Sequence, residues 1–224
     1  MLAPVPRSGA AARLRLQEAA LELFAAQGFE RTTTAEIAAR AGVNDRTFFR
    51  HFANKGEVLF DGEEDLRDAL VRAVADAPPG GSPLDALHRA FERCAAIPEG
   101  RRAFAAPRWE VISANAALRE RDAAKGAAMG RALARALVDR GVDERVAALA
   151  AQAGWAAFHQ AMARWIQEPD ADLPSCIRSS IADLRAIGLA GQVGAPAGAA
   201  PALPDEPAPP PGAADVPRTR TSTH

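Results

Sequence analysis

From Gly9 to about residue 190, apolar residues return every third or fourth position in this 224-residue chain, and no stretch alternates long enough to make a strand. That period restricts the chain to an all-α fold. Leu16, Ala20, Leu23 and Phe24 share one face of a first helix over about 9–27, which Gly28 stops. Thr33 followed by Glu36 is a capping box, in which hydroxyl and carboxylate satisfy each other's orphan backbone amides; it opens a short helix, TAEIAARA, that Gly42 ends. Asn44 is a good N-cap for a second short helix through about His51. Longer helices are predicted over about 55–76, 83–97, 100–113, 116–140, 143–168 and 174–188, with separators as short as those of compact bundles. Past residue 190 the period stops. The 34 residues of 191–224 hold 8 Pro, 8 Ala and 4 Gly, which leaves no apolar face to bury and predicts a disordered tail.

A formal net charge of −1 says nothing of a polyanionic partner, so any nucleic-acid signal must be local. Cys94 and Cys176 show no CxxC spacing, and the first residues lack the apolar core of a signal peptide, so a reduced, cytoplasmic chain is expected. Residues 146–163 run for 18 positions without a charge, the length at which a membrane span becomes a candidate. Nine of them are Ala, and Gln152, His159 and Gln160 interrupt the run. A helix buried in a core or an oligomer interface fits better, and no membrane partner is expected.

The local signal is the stretch 44–52, NDRTFFRHF, which sets three of the nine phenylalanines beside two arginines. Counted from Asn44, Phe48 and Phe52 stand four apart and face a core with Ile37, Ala38 and Val43, while Asp45, Arg46, Thr47, Phe49, Arg50 and His51 occupy the other faces. Two short helices joined by AGVN, the second opening on polar residues, make a helix-turn-helix over 33–52, whose second helix lies in the major groove.

Residues 16–60, LQEAALELFAAQGFERTTTAEIAARAGVNDRTFFRHFANKGEVLF, resemble the DNA-binding domain of the TetR family of bacterial transcriptional regulators, and TFFR resembles an actinobacterial branch of it. The resemblance implies a three-helix DNA-binding domain over 9–56, a larger helical ligand-binding and dimerisation domain over 57–190, and the tail. It implies that Asn44, Asp45, Arg46, Thr47, Phe49, Arg50 and His51 meet base edges or phosphates of a double-stranded operator, and that Thr33 and Lys55 touch phosphate. Lys55 would then stand at the N-terminus of a fourth helix, where free amides also favour a phosphate oxygen. The family's usual Tyr is replaced by Phe49, which can still meet a thymine methyl or pack on the sugar backbone. Arg7, Arg13 and Arg15 are either an arm reaching phosphate or a solvated helix start.

The family architecture also implies a homodimer through helices 143–168 and 174–188. Trp155, Phe158, Met162, Trp165 and Ile166 form one stripe there, part of which must also wall a pocket, and Ile177, Ile181, Leu184 and Leu189 form another. A pocket for a small apolar inducer, either a fatty-acyl thioester or an aromatic compound, is expected from Phe104, Trp109, Met129, Trp155, Phe158, His159 and Met162, though each could equally fill a core. A ligand-responsive repressor is the expected function; a DNA-binding regulator or architectural protein without an inducer is the alternative. No cofactor is expected. His88, His159 and His224 have no partners at metal-ligand spacing, Gly126 and Gly130 read as close packing, and no catalytic motif is present, so neither a metal site nor an enzyme is expected.

Overall fold

The structure, a computed structural model, describes residues 7–95 and 101–190, and among these the chain is helical with no strand. In order come α1 (Arg7–Gln27), α2 (Thr34–Arg40), α3 (Asp45–His51), a 3-10 turn (Glu57–Phe60), α4 (Glu63–Ala75), α5 (Pro83–Cys94), α6 (Arg101–Ala114), α7 (Ala116–Asp139), α8 (Glu144–Gln167) and α9 (Leu173–Ala190). The expected tail, 191–224, lies outside the described residues.

Local chemistry sets these ends. Thr33 and Glu36 make the reciprocal capping box, and Asn44 accepts the Thr47 amide at the start of α3. Ser82 and Asp85 cap α5 the same way, with Pro83 in the first turn, where a missing amide costs nothing. The predicted helix over 55–76 is in fact broken. After the 3-10 turn, Gly62 takes φ +80° ahead of α4, a left-handed geometry that a side chain would strain.

Two cores result. The first joins Leu16, Ala20 and Phe24 of α1 with Ile37, Phe48 and Phe52, and it also takes in Val58, Leu59 and Phe60, together with Ile112 of α6 and Leu118 of α7. The expected boundary at 56 therefore does not mark the end of this core. The second fills the space between α4, α5, α7, α8 and α9 around Leu70, Leu87, Phe91, Leu133, Leu137, Ile177 and Ile181. Burying each such side chain stabilises by about 1.5–3 kcal/mol. Phe158 and Trp165 of the stripe expected to meet a partner are buried here, with Trp155, Met162 and Ile166 packed against them, as are Ile177 and Ile181 of α9. The side chain of Leu189 is outside the described residues. The outer face of α8 instead carries Val146, Leu149, Gln152, Ala156 and Gln160, and that of α9 carries Ile187. Among the described residues no helix is long and apolar enough to cross a membrane.

Gly154 lets α8 approach α5 closely, because a Cβ there would stand 2.9 Å from Leu87 Cδ1 and 3.7 Å from the Phe91 ring. Both neighbours are fully buried, so neither can swing aside. Gly154→Val is expected to cost about 1–3 kcal/mol. Urea unfolding of the two proteins checks this; an unchanged midpoint would mean the α5–α8 contact is slack.

Candidate nucleic-acid interface and effector cavity

Helix α3 is amphipathic in the way its sequence requires. Phe48 is fully buried, Phe52 nearly so, and their ring centroids lie 5.8 Å apart. On the other side Asp45, Arg46, Phe49 and Arg50 are exposed, with Thr47 half-buried. Phe49 is 55% exposed and meets Phe48 edge-on at 5.4 Å, so its ring is held outward by the core beneath it. Arg46 and Arg50 form no ion pair among the described residues. A convex helix with two unspent guanidiniums, short enough for a major groove, suits a duplex partner.

Three residues named from the sequence sit otherwise. The ammonium of Lys55 donates to the carbonyls of Phe29, Glu30 and Thr32 at 2.8, 3.0 and 2.9 Å and lies 4.6 Å over the Phe29 ring. All three of its protons are spent on closing the α1–α2 turn, and Asn54 Oδ1 accepts the amides of Gly56 and Glu57 where the 3-10 turn starts beside it, so Lys55 is a structural clasp. His51 turns its Nε2 away from solvent without a hydrogen-bond partner, and burial pushes its pKa down, helped by Arg50 and Arg13. The carboxylate of Glu36 is held below its ordinary range by the Thr33 backbone amide and then by the Thr33 hydroxyl, both of which donate to it. Thr33 reaches phosphate only by surrendering its cap. Asn44 spends its oxygen on the Thr47 amide. At the start of α1, Arg13 pairs with Asp61 and Arg15 donates to the Ala41 carbonyl at 3.1 Å, so both exposed side chains tie α1 to the rest of the domain.

The second feature is a cavity of about 250 Å³ among α4, α6, α7 and α8. Phe104, Trp109, Met129, Trp155, Phe158, His159 and Met162 all stand in its wall, joined by Trp165, so every tryptophan of the chain is there. Trp155 stacks on Phe158 at 5.2 Å, and His159 meets Trp155 edge-on at 4.9 Å. Burial keeps His159 below its ordinary pKa, hence neutral at pH 7. One end of the cavity is charged: Glu63, Arg108, Asp122 and Lys125. Arg108 stands 3.2 Å from Glu63 and 3.7 Å from Asp122, and Lys125 stands 3.1 Å from Glu63. Burial raises the Glu63 carboxyl even so, and lowers Arg108. Sequence reasoning missed this quartet, because charges on amphipathic helices read as solvated faces.

Known proteins share both halves. The model of the family described as bacterial regulatory proteins, tetR family, matches residues 16–61, and that of the MftR C-terminal domain matches residues 81–188. The chain belongs to the tetR family. A curated relative, the HTH-type transcriptional regulator TcmR of Streptomyces glaucescens, is 46% identical over 79 residues, covering 35% of either chain. The match thus spans about a third of that relative's length. Solved structures share the fold: a transcriptional regulator from Rhodococcus sp. Rha1 (23% identity, 80% of this chain, 96% of that one, TM-score 0.50) and SmeT in complex with triclosan (22%, 87%, 100%, 0.54). As a tetR-family regulator the chain is a DNA-binding protein, and α2–α3 is its helix-turn-helix.

Lys55→Ala is expected to lower the stability of the folded chain by about 2 kcal/mol, the scale of hydrogen bonds from a charged donor. It should leave the slope of log affinity against log salt within a fraction of a unit of the parent's, since no phosphate contact is lost. Thermal melts and salt titrations of DNA binding check both; a slope lower by about one with unchanged melting would restore the phosphate role.

Proposed function

We propose that the chain is a homodimeric repressor, working in the cytoplasm, that an aromatic molecule lodged in the α4–α8 cavity releases from an inverted-repeat operator. The observation that carries this reading is the cavity wall: three tryptophans, two phenylalanines and two methionines facing one space, closed at one end by charged residues that adjoin the DNA-binding core. Flat π-faces suit stacking, and Met adapts to varied ring shapes. A cavity of roughly 150 Å³ holds benzene, so one of about 250 Å³ suits a ligand of about two rings. SmeT, which shares the fold, forms a complex with triclosan. A fatty-acyl thioester, which offers no ring to stack on the aromatic wall, is the contrasting class.

Dimerisation rests on the outer face of α8 and α9, where Leu149 is 70% exposed, Ile187 74% and Val146 49%, with no charge between Val146 and Gln160. Such a face is self-complementary across a two-fold axis, and the same axis sets two copies of α3 on two half-sites. Arg46 and Arg50 carry sequence preference in this reading, with Phe49 against a thymine methyl or the sugar backbone.

The experiment begins by selecting fragments of the host genome that bind the protein. Triclosan, substituted naphthalenes and acyl thioesters are then titrated against the resulting complex. With no Tyr in the chain and all three Trp in the cavity wall, intrinsic fluorescence reports occupancy directly. Aromatic compounds are expected to quench it and to lower operator affinity, and Trp109→Ala and Phe158→Ala to blunt both effects. If no compound shifts the complex, or both folded variants respond like the parent, the repressor is not governed from this cavity.

A further inference from the structure

The segment 57–63 belongs to both halves of the molecule. Val58, Leu59 and Phe60 are buried in the core of the DNA-binding domain, while Asp61, Gly62 and Glu63 stand in the cavity wall. Cations grip it from three helices. Arg13 of α1 pairs with Asp61, Arg121 of α7 pairs with Glu57, and Arg108 of α6 and Lys125 of α7 pair with Glu63. The Phe60 ring lies among three of them, with Arg108, Arg121 and Lys125 at 5.4, 5.3 and 5.1 Å from its centroid.

Arg108 differs from the rest. It lines the cavity, and its Nε also donates to the backbone carbonyl of Leu59. Arg13 and Arg121 do not line the cavity, and Lys125 touches the segment only through side chains. Arg108 also follows Pro107, which removes one rung from α6 and leaves the helix easiest to bend at that point.

We propose that Arg108 is the positioning residue through which the contents of the cavity act on the DNA-reading head. Bonded to Leu59, it holds 57–63 against α6. An occupant that offers the guanidinium an oxygen acceptor, a carbonyl or carboxylate, draws it from Leu59 and frees the segment. A purely hydrocarbon occupant fills the aromatic wall and leaves the bond in place. The electrostatics favour such an exchange, since Arg108 and Glu63 are both penalised by burial and a dry guanidinium gains much from a new acceptor. The inference rests on the reading that a cavity ligand releases DNA, but its first test needs no ligand.

In the full chain, Arg108→Met is expected to lower operator affinity about tenfold, within the usual range of coupling between sites, and to speed hydrogen exchange of the amides of 57–63. Arg135→Met removes the same charge from α7, where the side chain is exposed and pairs with Asp139, and should change neither. Arg108→Lys keeps the charge but loses the fork that spans Leu59 and Glu63; should the Met variant fail to fold, the Lys variant must still show faster exchange. A folded Arg108 variant with parental operator affinity and parental exchange overturns the proposal. The second test compares 2-acetylnaphthalene with 2-ethylnaphthalene at equal tryptophan quenching. The ketone is expected to release the operator and the hydrocarbon to leave it bound, and equal release by the two overturns the need for an acceptor. If the Arg108 variants behave as expected while no compound acts on the complex, the ligand reading fails and the Arg108 clasp stands.

Discussion

The short turn Glu57–Phe60 has to satisfy two cores at once, and the arrangement of the molecule depends on how it does so. Its apolar residues complete the packing beneath α3, and the residues directly after it close the cavity. No apolar contact alone could serve both sides, since the turn is only four residues long. Paired charges supply the rest, most of them half-buried at the junction. Further polar ties cross the same junction: Asn115 at the α6–α7 corner donates to Glu30 at 2.8 Å, and Gln17 of α1 donates to Asp61 at 2.7 Å.

The DNA-reading surface follows a different logic. The chain is almost neutral overall, so attraction to a duplex has to be local. Two arginines near the reading helix are paired within the domain, Arg13 with Asp61 and, at the surface, Arg40 with Glu22 at 2.6 Å. What remains free on α3 is Arg46 and Arg50 beside an exposed phenyl ring. This division separates residues that hold α3 in place, Lys55 among them, from the two arginines that its outer face leaves unpaired.

Much of this was legible in the sequence because it depends on periodicity and caps. Phe48 and Phe52 inward with Phe49 outward follows from the 3.6-residue period alone, and Thr33, Glu36 and Asn44 cap as their spacing demands. The cavity-wall aromatics could be named because large apolar groups on consecutive long helices have few other places to go. The break near Gly62 was not legible: Leu59, Leu66, Leu70 and Val74 fit one continuous helix, and a single glycine inside such a pattern is tolerated. The contacts that Lys55, Arg108 and Glu63 make inside the protein were not legible, for one shared reason. Their partners are backbone carbonyls and side chains from 14 to 62 residues away, and no local pattern encodes those contacts. The larger side chains of the α8 stripe went to the core, which left Val146 and Leu149 outside.

Cavity and reading head, on this account, share one equilibrium, and linkage makes that claim measurable in both directions. The decisive measurement is the affinity of a releasing compound, read from tryptophan fluorescence, for the free protein and for the protein saturated with operator. The account predicts that operator weakens the compound by the same factor by which the compound weakens operator. A compound that displaces the operator yet binds the free and operator-bound protein equally well would contradict it.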